Sequence, residues 1–216
     1  MRRALVTGLL ISAVGMLVTA ALLAVAGTVH VVDVRLDLRV LALGTLVFAV
    51  SGLVEEVLFR LLLLGGLRRL LHSATAALVI SSLAFAALEM VTTDGTTALS
   101  VTSTALGGIM YGVAFLRTGR LWLPVGMHFG WNWVQGTVLG FPVSGTTDYS
   151  GAFTELATSG PVWLGGGAYG PEASVFSLVG RLVIIALVLA ATRQPSAWPS
   201  SDDSSGTGSP RTRNRR

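Results

Sequence analysis

The sequence predicts an all-α fold, a multi-pass transmembrane helical bundle of about six spans. Three observations carry that expectation. Of the 216 residues, 52% are apolar and only 12% are charged, and the mean hydropathy is +0.71, outside the usual balance of a soluble domain. The apolar residues fall in six runs divided by short polar punctuation, each near the roughly 20 residues that cross a hydrocarbon core of about 30 Å. Most charges sit in the punctuation. There is no cysteine, which excludes disulfides, thiolate nucleophiles and cysteine-based zinc or iron sites.

The first run, residues 4–26, follows Arg2-Arg3. Its apolar length is about twice that of a secretory signal, so a retained helix is expected. The others cover residues 40–64, 75–91, 97–116, 121–139 and 175–191. With a cytoplasmic N-terminus, Arg68, Arg69, Arg117, Arg120, Arg193 and the tail arginines all face the cytoplasm, and only Arg35 and Arg39 face outward. That partition satisfies the positive-inside rule. It predicts a plasma-membrane protein with both termini cytoplasmic, and it places residues 140–174, which contain no arginine, outside. Residues 1–193 read as one transmembrane domain. Residues 194–216 are Ser-, Gly-, Asp- and Arg-rich and read as a disordered cytoplasmic tail. The net charge of +4 is thereby topological, and no basic, aromatic-interleaved face for nucleic acid is present.

Polar residues inside the spans are candidates for chemistry, since a charge near the bilayer centre costs at least about 2.5 kcal/mol and needs a partner or water. The second span carries Val54-Glu55-Glu56-Val57-Leu58-Phe59-Arg60. Glu56 and Arg60 are four apart with the acid first, the favoured order for an ion pair along a helix. Glu55 lies about 100° around the helix and is left to face a cavity and act on water or a metal. The fifth span carries Gly126-Met127-His128-Phe129-Gly130-Trp131-Asn132-Trp133. His128 and Asn132 share a face and can polarise a carbonyl, while Gly126 and Gly130 form a small-residue packing face nearly opposite. Glu89, in Phe85-Ala86-Ala87-Leu88-Glu89 of the third span, counts as closer to the outer end than Glu55 and His128.

Other polar features read as structural. Gly107, Gly108 and Gly112 form a packing face, and Arg181 snorkels to the outer interface or pairs with an acid such as Glu172. Trp122, Trp131, Trp133 and Trp163 suit interfacial anchoring, with Trp131 and Trp133 also placed to line a site beside Asn132. His30 and His72 read as solvated loop residues.

The ordered elements Glu55-Glu56-x-x-x-Arg60, Phe85-x-x-x-Glu89 and His128-x-x-x-Asn132 resemble the motifs of the CAAX-protease and bacteriocin-processing (Abi-type) intramembrane proteases, over roughly residues 45–145. Arg117-Thr118-Gly119-Arg120-Leu121-Trp122-Leu123-Pro124 and Phe141-Pro142-Val143-Ser144-Gly145 also look like bacterial members. The resemblance implies Glu55 as general base, Glu56 and Arg60 as its support, and His128 with Asn132 as the oxyanion site. It departs at Glu89, which stands where the family has a histidine. A divalent metal such as zinc would find Glu55, Glu89 and His128 as its ligands.

Three functions follow as expectations. The first is an intramembrane endopeptidase that hydrolyses an amide bond of a membrane-associated peptide or protein with glutamate-activated water. The second is a catalytically impaired relative acting as a membrane binding or immunity protein, which Glu89 favours. The third is transport, for which the paired acid and arginine would also serve, although the halves show no internal symmetry.

Overall fold

The computed structural model of the chain describes residues 1–192, a bundle of helices with a small outer cap. The expected tail lies outside the described residues. Helix α1 (Arg2–Val25) ends at a turn through Gly27, φ 72°, and leads into strand β1 (Val29–Val34). Asp37 then accepts hydrogen bonds from the amides of Arg39 and Val40 and opens α2 (Leu38–Glu56), a side-chain cap on otherwise unpaired helix donors. The helix continues without a break as a π-helical segment (Val57–Leu64) and α3 (Gly65–Leu71).

Ser73 caps α4 (Ala74–Thr92). Thr97 and Ser100 form a reciprocal capping box at α5 (Ala98–Thr118), which stops at left-handed Gly119. Helix α6 (Trp122–Asn132) runs on as a second π segment (Trp133–Val138). The chain next builds the cap from strand β2 (Thr154–Thr158), α7 (Val162–Gly165) and two 3-10 turns. Ser174 caps the last helix, α8 (Val175–Ala191).

Six helical passes thus coincide with the six apolar runs. Helices α1, α4 and α5 are each unbroken, long and apolar enough to cross a membrane, and α8 is a shorter apolar helix. The second pass extends to Leu71, beyond the expected residue 64, because Gly65 and Gly66 sit in ordinary helical geometry instead of ending it. The sequence reading contained no strand. Strands β1 and β2 nevertheless pair antiparallel, Val29 with Thr158 through Val34 with Thr154, with an irregularity between Val31 and Asp33. His30 lies in β1, and its Val-rich surroundings explain the extended form.

Small residues set the helix spacing. Gly126 backs onto Leu5 and Gly130 onto Leu9, while Gly8 abuts the backbone between Leu123 and Met127, so α1 and α6 meet nearly backbone to backbone. Gly15 and Gly180 do the same between α1 and α8, and Gly108 meets Ser82 between α5 and α4. Lipid tails are as apolar as leucine, so close van der Waals packing of small residues takes over the role that hydrophobic burial has in water. The outward side chains, among them Leu46, Leu53, Leu62, Leu83 and Leu182, are exposed and apolar, as a lipid-facing surface requires.

This packing predicts a contrast between two glycines. A Cβ on Gly126 would stand 2.3 Å from the Leu5 carbonyl oxygen, whereas one on Gly66 meets nothing within 4 Å. Gly126→Val should therefore lower stability by about 1–3 kcal/mol through overpacking, and Gly66→Ala should leave it unchanged or raise it. Thermal midpoints of the purified variants in one detergent would check this.

Candidate active site

The first carboxylate of the Glu-Glu pair and the second point to different surroundings. Glu56 is wholly buried, and its two oxygens are divided between two elements. Oε2 stands 3.2 Å from Arg60 Nε one turn along the same helix, and Oε1 is 2.9 Å from His128 Nδ1 on α6. Glu55 keeps 29% of its side chain exposed and stands 3.7 Å from His128 Nε2. That separation is too long for a direct hydrogen bond. Helix α2 thus presents one acid to the protein interior and the other to open space, as the 100° offset requires.

Arg60 falls inside the first π segment, directly after the glutamates. Its Nη2 donates to the Gly108 carbonyl at 3.4 Å, and its guanidinium lies 4.7 Å from the Phe85 ring centre and 5.2 Å from that of Tyr111. Nη1 is buried without a hydrogen-bond partner, so the aromatic faces provide part of its compensation. Tyr111 also stacks on His128, with ring centres 4.7 Å apart and planes 12° from parallel, while Phe85 meets the same imidazole edge-on. The imidazole is held by a carboxylate at Nδ1 and by rings on its faces, leaving Nε2 toward Glu55.

These groups line a cavity of about 210 Å³, whose wall contains Glu55, Glu89, His128 and Asn132 together with Tyr111 and Ser144. Glu89 therefore shares the space with Glu55 and His128 despite its more outward position along α4. Glu56 and Arg60 stand behind the wall. Among the described residues no group of three or more His, Asp or Glu side chains could hold a metal ion. Glu55, Glu89 and His128, the ligands expected for a divalent metal, all line this one cavity, with Nε2 of the imidazole toward Glu55.

A second buried ion pair closes the cavity on the cap side. Arg181 Nη2 donates to Glu172 Oε1 at 3.0 Å and its Nε to Ser103 at 2.9 Å, with the guanidinium 4.4 Å from the Trp131 ring centre. Glu172 also accepts from Trp131 Nε1 at 3.1 Å, Gln135 Nε2 at 3.4 Å and the Ser144 amide at 3.0 Å. Ser144 makes that contact from a left-handed backbone, φ 46°. The pairing of Arg181 with Glu172 agrees with the sequence reading, but its place in the cavity wall does not follow from sequence. Trp131 is fully buried and points into this network, neither an interfacial anchor nor a lining residue. Trp133 binds Thr45 at 2.9 Å, and Trp163 is exposed on the cap.

Tyr111 is the lining residue that sequence reading passed over, while Ser144 was noted only within the Phe141–Gly145 element and Glu172 only as a partner for Arg181. A tyrosine in an apolar helix carries no motif, and only the fold brings the three to one cavity.

A family model described as Type II CAAX prenyl endopeptidase Rce1-like matches residues 37–134. The match contains Glu55, Glu56, Arg60, Glu89, His128 and Asn132, and it leaves out α1, the cap and α8, hence also Glu172 and Arg181. No curated protein and no solved structure matches the chain.

The two kinds of ion pair should behave differently. Glu172→Gln leaves the buried Arg181 without its counter-charge and should cost about 3–5 kcal/mol. Removing the half-exposed Arg35, bound to Asp33 at 2.9 Å and Glu155 at 3.4 Å, should cost no more than about 1 kcal/mol. Unfolding in a denaturing detergent series would compare them, and Glu172→Gln/Arg181→Met should recover part of the first loss.

Proposed function

Because a family model described as Type II CAAX prenyl endopeptidase Rce1-like matches residues 37–134, we propose that this membrane protein is an intramembrane endopeptidase in which Glu55 activates the attacking water. The observation that carries the assignment is the unequal treatment of the two adjacent acids. Glu56 is buried and held between Arg60 and His128, whereas Glu55 faces the cavity 3.7 Å from His128 Nε2 without a direct bond. A general base must be reachable by water and free of a fixed cation, and Glu55 alone of the pair meets both conditions.

In the proposed reaction a water on the cavity side of Glu55 gives a proton to the carboxylate as its oxygen attacks the amide carbon. The carbonyl oxygen gains the negative charge. The Asn132 carboxamide and a doubly protonated His128, with Nδ1–H given to Glu56 and Nε2–H left to donate, stand on the same wall to stabilise that oxyanion. Glu55 then returns the proton to the leaving nitrogen, the C–N bond breaks, and a carboxylate and an amine result. Glu56 holds the imidazole through Nδ1, and Arg60 balances the charge of Glu56.

The substrate in this reading is a membrane-associated peptide or protein. Glu89 supports a second reading, a binding or immunity protein on the same scaffold, because a carboxylate cannot donate as an imidazolium would at this place.

Two substitutions separate the readings. Glu55→Gln should reduce peptide cleavage by at least about 100-fold, the scale of general-base catalysis, with thermal stability unchanged. Near-normal turnover in the folded variant would remove Glu55 from the mechanism. Glu89→His should fold and cleave at least as fast as the wild type. If the wild type is inactive and Glu89→His cleaves, the non-catalytic reading holds for the natural chain.

A further inference from the structure

At the end of the bundle away from the cap, the start of α1, the turn between α5 and α6 and the end of α8 surround a second space of about 500 Å³. It is lined by Ala4, Thr7, Arg117, Arg120, Leu123 and Thr192. That volume lies within the usual range for a ligand site. The space shares no lining residue with the cavity of Glu55 and His128, and two of its walls, α1 and α8, fall outside residues 37–134.

The two arginines of this wall are cations without a counter-charge. Arg117 Nε donates to Thr192 Oγ1 at 3.2 Å, and its Nη2 donates to the carbonyls of Leu189 and Thr192 at the end of α8. These acceptors fix the guanidinium but carry only the partial charge of a helix C-terminus, and Nη1 is left over. Arg120 follows left-handed Gly119 and is exposed. Among the described residues its guanidinium has no hydrogen-bond partner, and neither has the Thr7 hydroxyl, whereas Thr118 and Thr192 donate to carbonyls one turn back. Every lining residue lies in a stretch without Asp or Glu, since residues 1–32, 95–147 and 173–192 contain none. From Thr7 the wall continues as an apolar stripe: Leu10, Val14 and Leu17 follow at spacings of three and four along one face of α1, and each is about half exposed.

We infer that this space binds one anionic glycerophospholipid, with its phosphate between Arg117 and Arg120, the Thr7 hydroxyl donating to a phosphate oxygen, and an acyl chain along Leu10, Val14 and Leu17. Charge and shape both select this ligand. A soluble anion would match the guanidiniums but leave the apolar stripe unused. A zwitterionic lipid would bring its own ammonium into a space that already holds two uncompensated cations. An anionic lipid supplies the missing charge and the chain together, as at other basic pockets between membrane helices. The site is independent of the protease reading.

Native mass spectrometry of the full-length protein in a neutral detergent, titrated with dioleoyl phosphatidylglycerol or dioleoyl phosphatidylcholine, would test this. One phosphatidylglycerol per chain should bind at least about 10-fold more tightly than phosphatidylcholine. Arg120→Gln should weaken it about 5-fold, the scale of one arginine beside an anionic headgroup. Arg69→Gln removes an equal exposed charge from the same end, outside the space, and should weaken binding less than about 2-fold by the same scale. Thr7→Val should cost about 3-fold, the scale of one hydrogen bond, and carries the test if Arg120→Gln does not fold. Equal binding of the two lipids, or equal losses in Arg120→Gln and Arg69→Gln, would overturn the site in favour of diffuse attraction to the whole end. Displacement of phosphatidylglycerol by equimolar inorganic phosphate would also overturn it, because the space would then hold a free anion and not a lipid.

Discussion

A carboxylate sealed inside an apolar bundle is the constraint from which the site is built. Glu56 has no exposed surface, and an uncompensated charge there would cost several kcal/mol. Its neutrality comes from Arg60 along the helix and from His128 across it. The first contact ties the acid to its own element, and the second ties α2 to α6. Arg60 in turn needs Gly108 of α5 and the rings of Phe85 and Tyr111 from α4 and α5. Four helices are thereby held in one arrangement by the demands of one buried charge, and Glu55 is positioned as the preceding residue on that fixed backbone.

The same logic is repeated at Glu172. There the acid comes from the cap, between α7 and α8, and the donors come from α6, α8 and the loop after α6. One acid organises the floor of the cavity and the other its roof. The roof lies outside residues 37–134, so the family-matched core contains Glu55, Glu89, His128 and Asn132 and the rest of the chain contributes their enclosure.

How far sequence reaches can be judged from these two clusters. The Glu56–Arg60 pair was legible because i,i+4 spacing is a local property, and His128 with Asn132 for the same reason. The six passes were legible from apolar length alone. The partnership of Glu56 with His128 was not, because 72 residues separate them and no periodicity reports on contact between helices. Counting along the span set Glu89 nearer the outer end and did not reveal that it reaches the cavity, since depth along an axis says little about which side chains reach a shared space. The π segments escaped notice because each is a local change in helix winding within an ordinary apolar run, and the hairpin because its valines look the same in a strand or a span. Such π segments often occur where function asks a helix to turn a side chain away from its regular position, and the first one carries Arg60.

The pairing of β1 with β2 has a mechanical meaning. It joins the link between the first two passes to the middle of the cap, and Glu172 pins the cap again near its end. A roof fastened at two separated points resists swinging aside as a hinged door. The space beneath it keeps a nearly constant size, so in the proposed protease the work of fitting would fall on the guest. Guests would then be sorted by how readily a stretch of polymer gives up its own folded hydrogen bonds, a property of its local stability rather than of any one side chain.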